Sequence, residues 1–306
     1  MQHRKLGTLS KLYLKYTNKS QYALYKTAEA ERIFFQDVAL KISNLSFDNE
    51  LGTSLTFKHS GNCGDIIYAL PAIYELSKNG KASILLHINQ KGTYSAFHPL
   101  GDLMLNQKVG DMIRPLLLYQ PQVETVETYN GEEVDYDLDA FRTLPILLDR
   151  GNISRWYFWV QGISHSLSLP WLVAPKESSL INDYIVIARS HRYRNPIISY
   201  NFLSKYPKLL FIGVEEEYTD MLKSIPNLEF KKVNDFLEMA TIINNCKLFI
   251  GNQSFPFAIA EGLKVNRLLE VYYKAPNVSP EGNGAHDFMF QPQFEKLTAL
   301  LYNTRK

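Results

Sequence analysis

The sequence predicts an α/β protein built from two Rossmann-like domains that face each other across a cleft. Three observations lead there. A strand, a glycine loop, a helix and a second strand follow one another over residues 54–88. A second alternating series of strands and helices runs over 184–271. Between them lies a proline-bearing joint at Pro175, followed by Lys-Glu-Ser-Ser. The expected division is an N-terminal extension over 1–50 packed on the first domain, a first domain over 51–175 and a second over 176–306. With 306 residues, 45% hydrophobic and 21% charged, the chain is long enough for two such domains and has the balance of a globular protein.

The extension carries Lys, Tyr and Leu at mixed spacing, with a helical pattern from Thr27 to Leu40; it is expected to be a solvated helix or else a basic arm. Ser54 to Lys58 alternates as a strand does. The loop His59-Ser60-Gly61-Asn62-Cys63-Gly64-Asp65 follows, then a helix from Ile66 to Lys78, a turn at Asn79-Gly80 and a strand from Ser83 to Ile88. Further strands are expected at Val123 to Tyr129 and Tyr136 to Leu138. Trp156 to Leu172 is rich in aromatic residues and is interrupted by Gly162. In the second domain, strands are expected at Tyr184–Ala188, Leu209–Gly213, Leu228–Val233, Leu248–Ile250 and Leu268–Val271. Helices are expected at Phe236–Asn244 and from about Phe257 to Leu263.

Composition removes several function classes. Net charge is +2, from 33 basic and 31 acidic residues, so no global field draws nucleic acid and a local patch would be needed. The two cysteines, Cys63 and Cys246, have no CxxC spacing, which speaks against a disulfide framework or structural zinc and for a reducing compartment. The basic N-terminus lacks the apolar core of a signal peptide, and no apolar run approaches the ~20 residues that span a bilayer. A cytoplasmic protein is expected.

The loop at 60–65 carries the sharpest chemistry. Gly61 and Gly64 at a strand-to-helix turn let backbone approach a phosphate closely, and the following helix offers N–H groups to an anion. The same residues also suit a plain tight turn with Asp65 as a helix cap. If Asp65 faces a cleft, its carboxylate can act as general base for a hydroxyl nucleophile. A second loop of this kind, Gly251-Asn252-Gln253-Ser254, again links a buried strand to a helix, and open α/β sheets bind ligands at such strand ends. Gly251, Gln253 and Ser254 are therefore candidate phosphate contacts. Arg189, Arg192 and Arg194, just past the first strand of the second domain, suit phosphate oxygens, although exposed arginine is the commoner fate. Gly213, Glu216 and Glu261 are possible nucleotide or sugar contacts. For Glu215-Glu-Glu, however, an acidic first helical turn is the simpler reading.

Asp135-Tyr-Asp137-Leu-Asp139 offers alternate carboxylates on one strand face, compatible with a divalent cation or with a charged edge strand. His59, His191 and His286 form no metal set by spacing. Cys63 has no histidine at a telling distance and reads as a small turn filler.

Phe57 to Ile73, Phe-Lys-His-Ser-Gly-Asn-Cys-Gly-Asp-Ile-Ile-Tyr-Ala-Leu-Pro-Ala-Ile, resembles the signature that opens the heptosyltransferase-like glycosyltransferases of the GT-B fold. Asp135 to Arg142 is similar to that family's Tyr-Asp-apolar-Asp strand, which weakens the metal reading. Ala240 to Ser254 resembles its helix, strand and Gly-Asn-Asp-Ser-Gly block. The resemblance spans about residues 54–272. It implies a GT-B enzyme transferring a sugar from a nucleotide diphosphate sugar to a glycan, lipid-linked or other hydroxyl acceptor, inverting, with no metal or other cofactor. It implies Asp65 as catalytic base, Ser254 as a donor-phosphate contact and the 189–194 arginines as phosphate ligands. The chain departs from the pattern at Gln253, where the family has Asp, and at Ala258, where it has His. Those departures admit a catalytically inactive nucleotide- or glycan-binding protein as the alternative. A DNA-modifying glycosyltransferase is a third reading, kept by the Lys- and Tyr-rich first 30 residues.

Overall fold

The computed structural model describes residues 6–39, 54–78, 80–92, 100–144, 146–176 and 181–303. Two parallel sheets organise the chain. The first contains β1 (Ser54–His59), β2 (Lys81–Leu86), β3 (Val123–Thr128) and β4 (Tyr136–Asp137) in the order β3-β2-β1-β4. The second contains β5 (Ile185–Ala188), β6 (Leu209–Phe211), β7 (Glu229–Phe230), β8 (Leu248–Asn252), β9 (Arg267–Glu270) and β10 (Ala285–Phe288), in the order β10-β9-β8-β5-β6-β7. The helices, in chain order, are α1 (Thr8–Thr17), α2 (Lys19–Ile33), α3 (Cys63–Leu76), α4 (Gln107–Leu118), α5 (Ile153–Gln161), α6 (Glu215–Leu222), α7 (Phe236–Asn245), α8 (Phe255–Leu263) and α9 (Gln291–Asn303).

Local chemistry explains most boundaries. β1 alternates because Leu55, Phe57 and His59 point into the core while Ser54, Thr56 and Lys58 do not. β5 is buried throughout, as a central parallel strand covered on both faces must be. Its Val186 and Ala188 join a core shared with the first lobe, and Ile185 and Ile187 join a second core beneath α9. Gly162 ends α5 in a left-handed conformation, φ 62°, where a Cβ would be strained.

Pro71 lies inside α3 and has no N–H, so the carbonyl of Ile67 one turn earlier loses its helical partner. The buried indole Nε1 of Trp171 supplies that bond at 3.1 Å. The Trp171 and Leu172 backbone N–H groups donate to Gly262 O in α8, at 3.0 and 3.1 Å. A Cβ at Gly262 would lie 2.9 Å from Leu172 Cβ, so glycine is what admits the linker. The segment after α5 thus fastens α3 of one lobe to α8 of the other, and these two helices pack directly. Gln120 adds a further tie, its amide bonding both the N–H and C=O of Val173.

Several expectations are corrected. α3 begins at Cys63 rather than Ile66, so Asp65 stands in its first turn. β10 pairs in parallel with β9 and was not read from the sequence, since Ala285-His-Asp-Phe shows neither alternation nor an apolar run. In the described part of the extension, α1 and α2 contact each other, and neither contains a buried residue. The expected turn at Asn79 and the helical pattern at Leu40 touch residues outside those described.

Candidate functional site

The first half of the site is the end of β1. His59 is wholly buried, and the Gly61 N–H donates to its Nδ1 at 2.9 Å. That makes Nδ1 the acceptor, so Nε2 carries the proton toward Tyr157 Oη, 2.8 Å away. Tyr157 in turn donates to the backbone carbonyl of Asp65 at 3.2 Å. Burial pushes the His59 pKa below its ordinary value, and the imidazole is neutral. The Asp65 carboxylate receives Arg142 Nη2 at 2.8 Å, and both side chains are partly exposed. Burial opposes the Arg142 cation, but Asp65, with Asp139, outweighs it and its pKa rises. A Cβ at Gly61 would fall on His59 Cε1 and on the Arg142 guanidinium, so Gly61 makes room for the Arg142–Asp65 pair.

The Asp135–Asp139 run is spent on β1. Asp135 accepts from the N–H and hydroxyl of Thr56 at 2.7 Å each, and Asp137 holds Lys58 Nζ at 2.7 Å. Asp139 takes the Ser60 N–H at 2.9 Å. This ladder seats β4 beside β1 and carries Arg142 to Asp65. Among the described residues, no three His, Cys, Asp or Glu side chains converge on a point that could hold a metal ion. Cys63 is buried and its thiol pKa is raised by that burial, as suits a turn filler.

The second half is the end of β5 and β8. Buried Asn252 clamps the two loops together: its Oδ1 accepts the Ser190 N–H at 3.0 Å and its Nδ2 donates to Ser190 O at 2.7 Å. Arg192 then lies in the 3-10 turn that follows, over the Tyr193 ring and bonded to its hydroxyl at 2.7 Å. Arg194 is paired with Asp220 of α6. Ser254 opens α8, with Pro256 in its first turn.

The two halves meet. A Cβ on Gly64 would lie 3.7 Å from Phe255 Cα, so the first turns of α3 and α8 oppose each other with Asp65 on one side and Ser254 on the other. Gly61 lies beside the Asp65 carboxylate and Gly64 packs against Phe255, the residue after Ser254, while Asn252 ties the 190–194 turn to the loop that precedes α8.

Other sequence-derived candidates are committed elsewhere. Arg189 is buried and forms a bidentate pair with Glu270, at 2.7 and 2.8 Å, while stacking on Tyr200. Its guanidinium shapes the 189–198 loop instead of reading a ligand. Gln253 is buried too: its amide donates to Ala275 O and Asn277 Oδ1 and accepts the Tyr272 N–H at 2.8 Å. Glu261 is 2% exposed and is held by Arg267, Lys264 and the Glu281 N–H, so it cannot face a sugar. A Cβ at Gly251 would meet the Ala188 carbonyl at 2.8 Å, which ties that glycine to the close approach of β5 and β8. Gly213 adopts φ +150° against the Phe211 ring, a backbone role. Glu216 is exposed on α6, and it is Glu217 that turns inward, accepting the His191 N–H at 3.1 Å. Burial raises the Glu217 pKa above its ordinary value.

Sequence reasoning missed His59, Arg142, Tyr157, Asn252 and Glu217 as parts of the site. Arg142 was in view within the acidic strand, and strand pairing with β1 was the signal that could have found it. Tyr157 arrives from a separate helix, and no local pattern announces it.

No protein-family model matches the sequence, and no curated protein does at a significant level. The fold does have solved relatives. The E. coli ADP-heptose lps heptosyltransferase II aligns with a TM-score of 0.54 and 11% identity, covering 81% of this chain and 98% of that one. The glycosyl transferase family 9 protein from Veillonella parvula DSM 2008 aligns with a TM-score of 0.51 and 11% identity, covering 84% and 91%. The chain has the two-lobed α/β, GT-B-like fold of these structures, and the relationship is remote.

Proposed function

We propose that this protein is a glycosyltransferase that moves a sugar from a nucleotide diphosphate sugar to a hydroxyl acceptor, with inversion and without a metal ion. The observation that carries this reading is the packing of the first turn of α3, which holds Asp65, against the first turn of α8, which Ser254 opens. Two helix N-termini lying side by side favour a ligand with negative charge beside them.

In this mechanism the Asp65 carboxylate accepts the acceptor hydroxyl proton as the oxygen attacks the anomeric carbon. The carbon–oxygen bond to the diphosphate breaks on the opposite face. Arg192 and Arg194, Ser254 and the N-terminus of α8 offset the charge on the leaving diphosphate. Arg142 fixes the carboxylate orientation through its 2.8 Å contact, and the His59–Tyr157 chain fixes the backbone of the same residue. The engagement of Asp135, Asp137 and Asp139 with β1 supports a charge balance met by protein groups. The expected site of action is cytoplasmic, with nucleic acid not an expected partner.

Asp65→Asn tests the assignment. The variant keeps nucleoside diphosphate binding and loses transfer by roughly 10²–10⁴-fold, the usual contribution of a general base. Unchanged turnover removes Asp65 from the mechanism. The second reading, a catalytically inactive nucleotide- or glycan-binding protein, is favoured by the full engagement of Gln253 in holding the 272–277 loop. Slow hydrolysis of a nucleotide sugar by the purified protein separates the two, because the inactive protein binds without turnover.

A further inference from the structure

Residues 1–36 hold seven Lys and Arg against Glu29 and Glu31, a net +5 in a chain whose total is +2, so the remainder carries −3. Lys11, Lys15, Lys19, Lys26 and Arg32, with Glu29 and Glu31, lie on a helical hairpin that therefore carries +3. α1 and α2 are joined by Lys11 Nζ, which bonds Glu29 at 2.9 Å and lies over the Tyr25 ring. With Lys11 turned inward, Leu9, Leu12, Tyr13 and Tyr16 form a stripe at i, i+3, i+4 and i+7 on the outer face. Their exposures are 84%, 46%, 71% and 77%. Lys15 and Lys19 flank the stripe and are exposed as well. Apolar side chains gathered on one outward face of a soluble protein mark a surface that is covered in use.

We propose that this hairpin docks on an anionic lipid bilayer, laying the α1 stripe into the interface while its lysines meet the headgroups. Charge complementarity selects that occupant. Tyrosine ring and hydroxyl suit the headgroup level, leucine suits the acyl boundary beneath it, and each nearby lysine adds attraction to anionic lipid. A second copy of the hairpin would bring +3 against +3, and a phosphate backbone has no use for Leu9 and Leu12. At ten residues α1 is about 15 Å long and lies on a bilayer instead of crossing it. Among the described residues, no helix is long and apolar enough to cross.

The test is co-sedimentation of the full chain with phosphatidylcholine vesicles, with and without a quarter of phosphatidylglycerol. The protein sediments with the anionic vesicles and not with the neutral ones, and added salt releases it. Leu9→Ser with Tyr13→Ser abolishes sedimentation, and Lys15→Ala with Lys19→Ala weakens it by roughly tenfold or more. These side chains are exposed, so circular dichroism and the melting midpoint stay those of the parent. Nucleoside diphosphate binding in the cleft also stays unchanged, which keeps this proposal separate from the catalytic one. Three outcomes overturn it: equal sedimentation with both vesicles, indifference to both pairs of substitutions, or a duplex DNA fragment that outcompetes the anionic vesicles at the same salt.

Discussion

His59 shows how one residue carries several duties at the end of β1. It fills the core, fixes the Gly61 backbone through Nδ1 and orients Tyr157 through Nε2. Burial holds its pKa below the ordinary 6.5, so the sign of its pH dependence follows. Below about pH 6.5 the unfolded chain binds a proton at this position that the folded chain refuses. Stability present above that pH is lost as pH falls through the folded value. The melting midpoint of the parent should therefore decline from pH 6.5 downward, and His59→Gln should decline less steeply. Parallel slopes in the two proteins would show that His59 does not titrate as a buried neutral group. Arg189, Gln253 and Glu261 carry the opposite lesson. Each has the chemistry of a ligand contact, and each is occupied by an internal partner: Arg189 by the distant Glu270, Gln253 by the 272–277 loop, and Glu261 by Lys264 and Arg267 within the next two turns of chain. Lys264 itself is brought down to about 8 by burial, against the pull of Glu261.

At the scale of elements, the strand-to-helix loops were legible because their glycines and flanking apolar runs are local signals. β1, α3, β8 and α8 fall within a few residues of where periodicity puts them. The site partners were not legible, because long-range pairing decides them. Arg142 reaches Asp65 only because β4 pairs with β1, Phe57 opposite Tyr136 and Lys58 opposite Asp137. The tie between lobes is equally hidden, since Pro71 reads as a helix oddity until Trp171 is seen to satisfy the carbonyl it frees. Trp171→Phe keeps most of the ring volume and leaves Ile67 O without that donor. A buried carbonyl left unpaired costs about 1–3 kcal/mol, so chemical denaturation should show a loss of that size. A change below about 0.5 kcal/mol would mean that water or another donor takes the indole's place.

For the whole molecule, the loops after β1 and β8 lead into two helices that pack against each other at Gly64 and Phe255. The family resemblance named the residues at this junction, and the structure supplies their neighbours. It also separates the residues in contact across the lobes, Gly64 and Phe255, from those that hold the loops in place, Asn252, Gln253 and Glu270. The central claim is that this junction binds a nucleotide diphosphate sugar. The most direct measurement is the melting midpoint across nucleoside diphosphates and their sugars, for the parent and for Gly64→Leu, whose larger side chain runs into the first turn of α8 at Phe255. A donor at 100 times its Kd stabilises the folded state by about 2.7 kcal/mol through mass action. The account predicts a concentration-dependent rise for at least one nucleotide sugar in the parent and none in Gly64→Leu. No rise with any of them, or the same rise in both proteins, would contradict it.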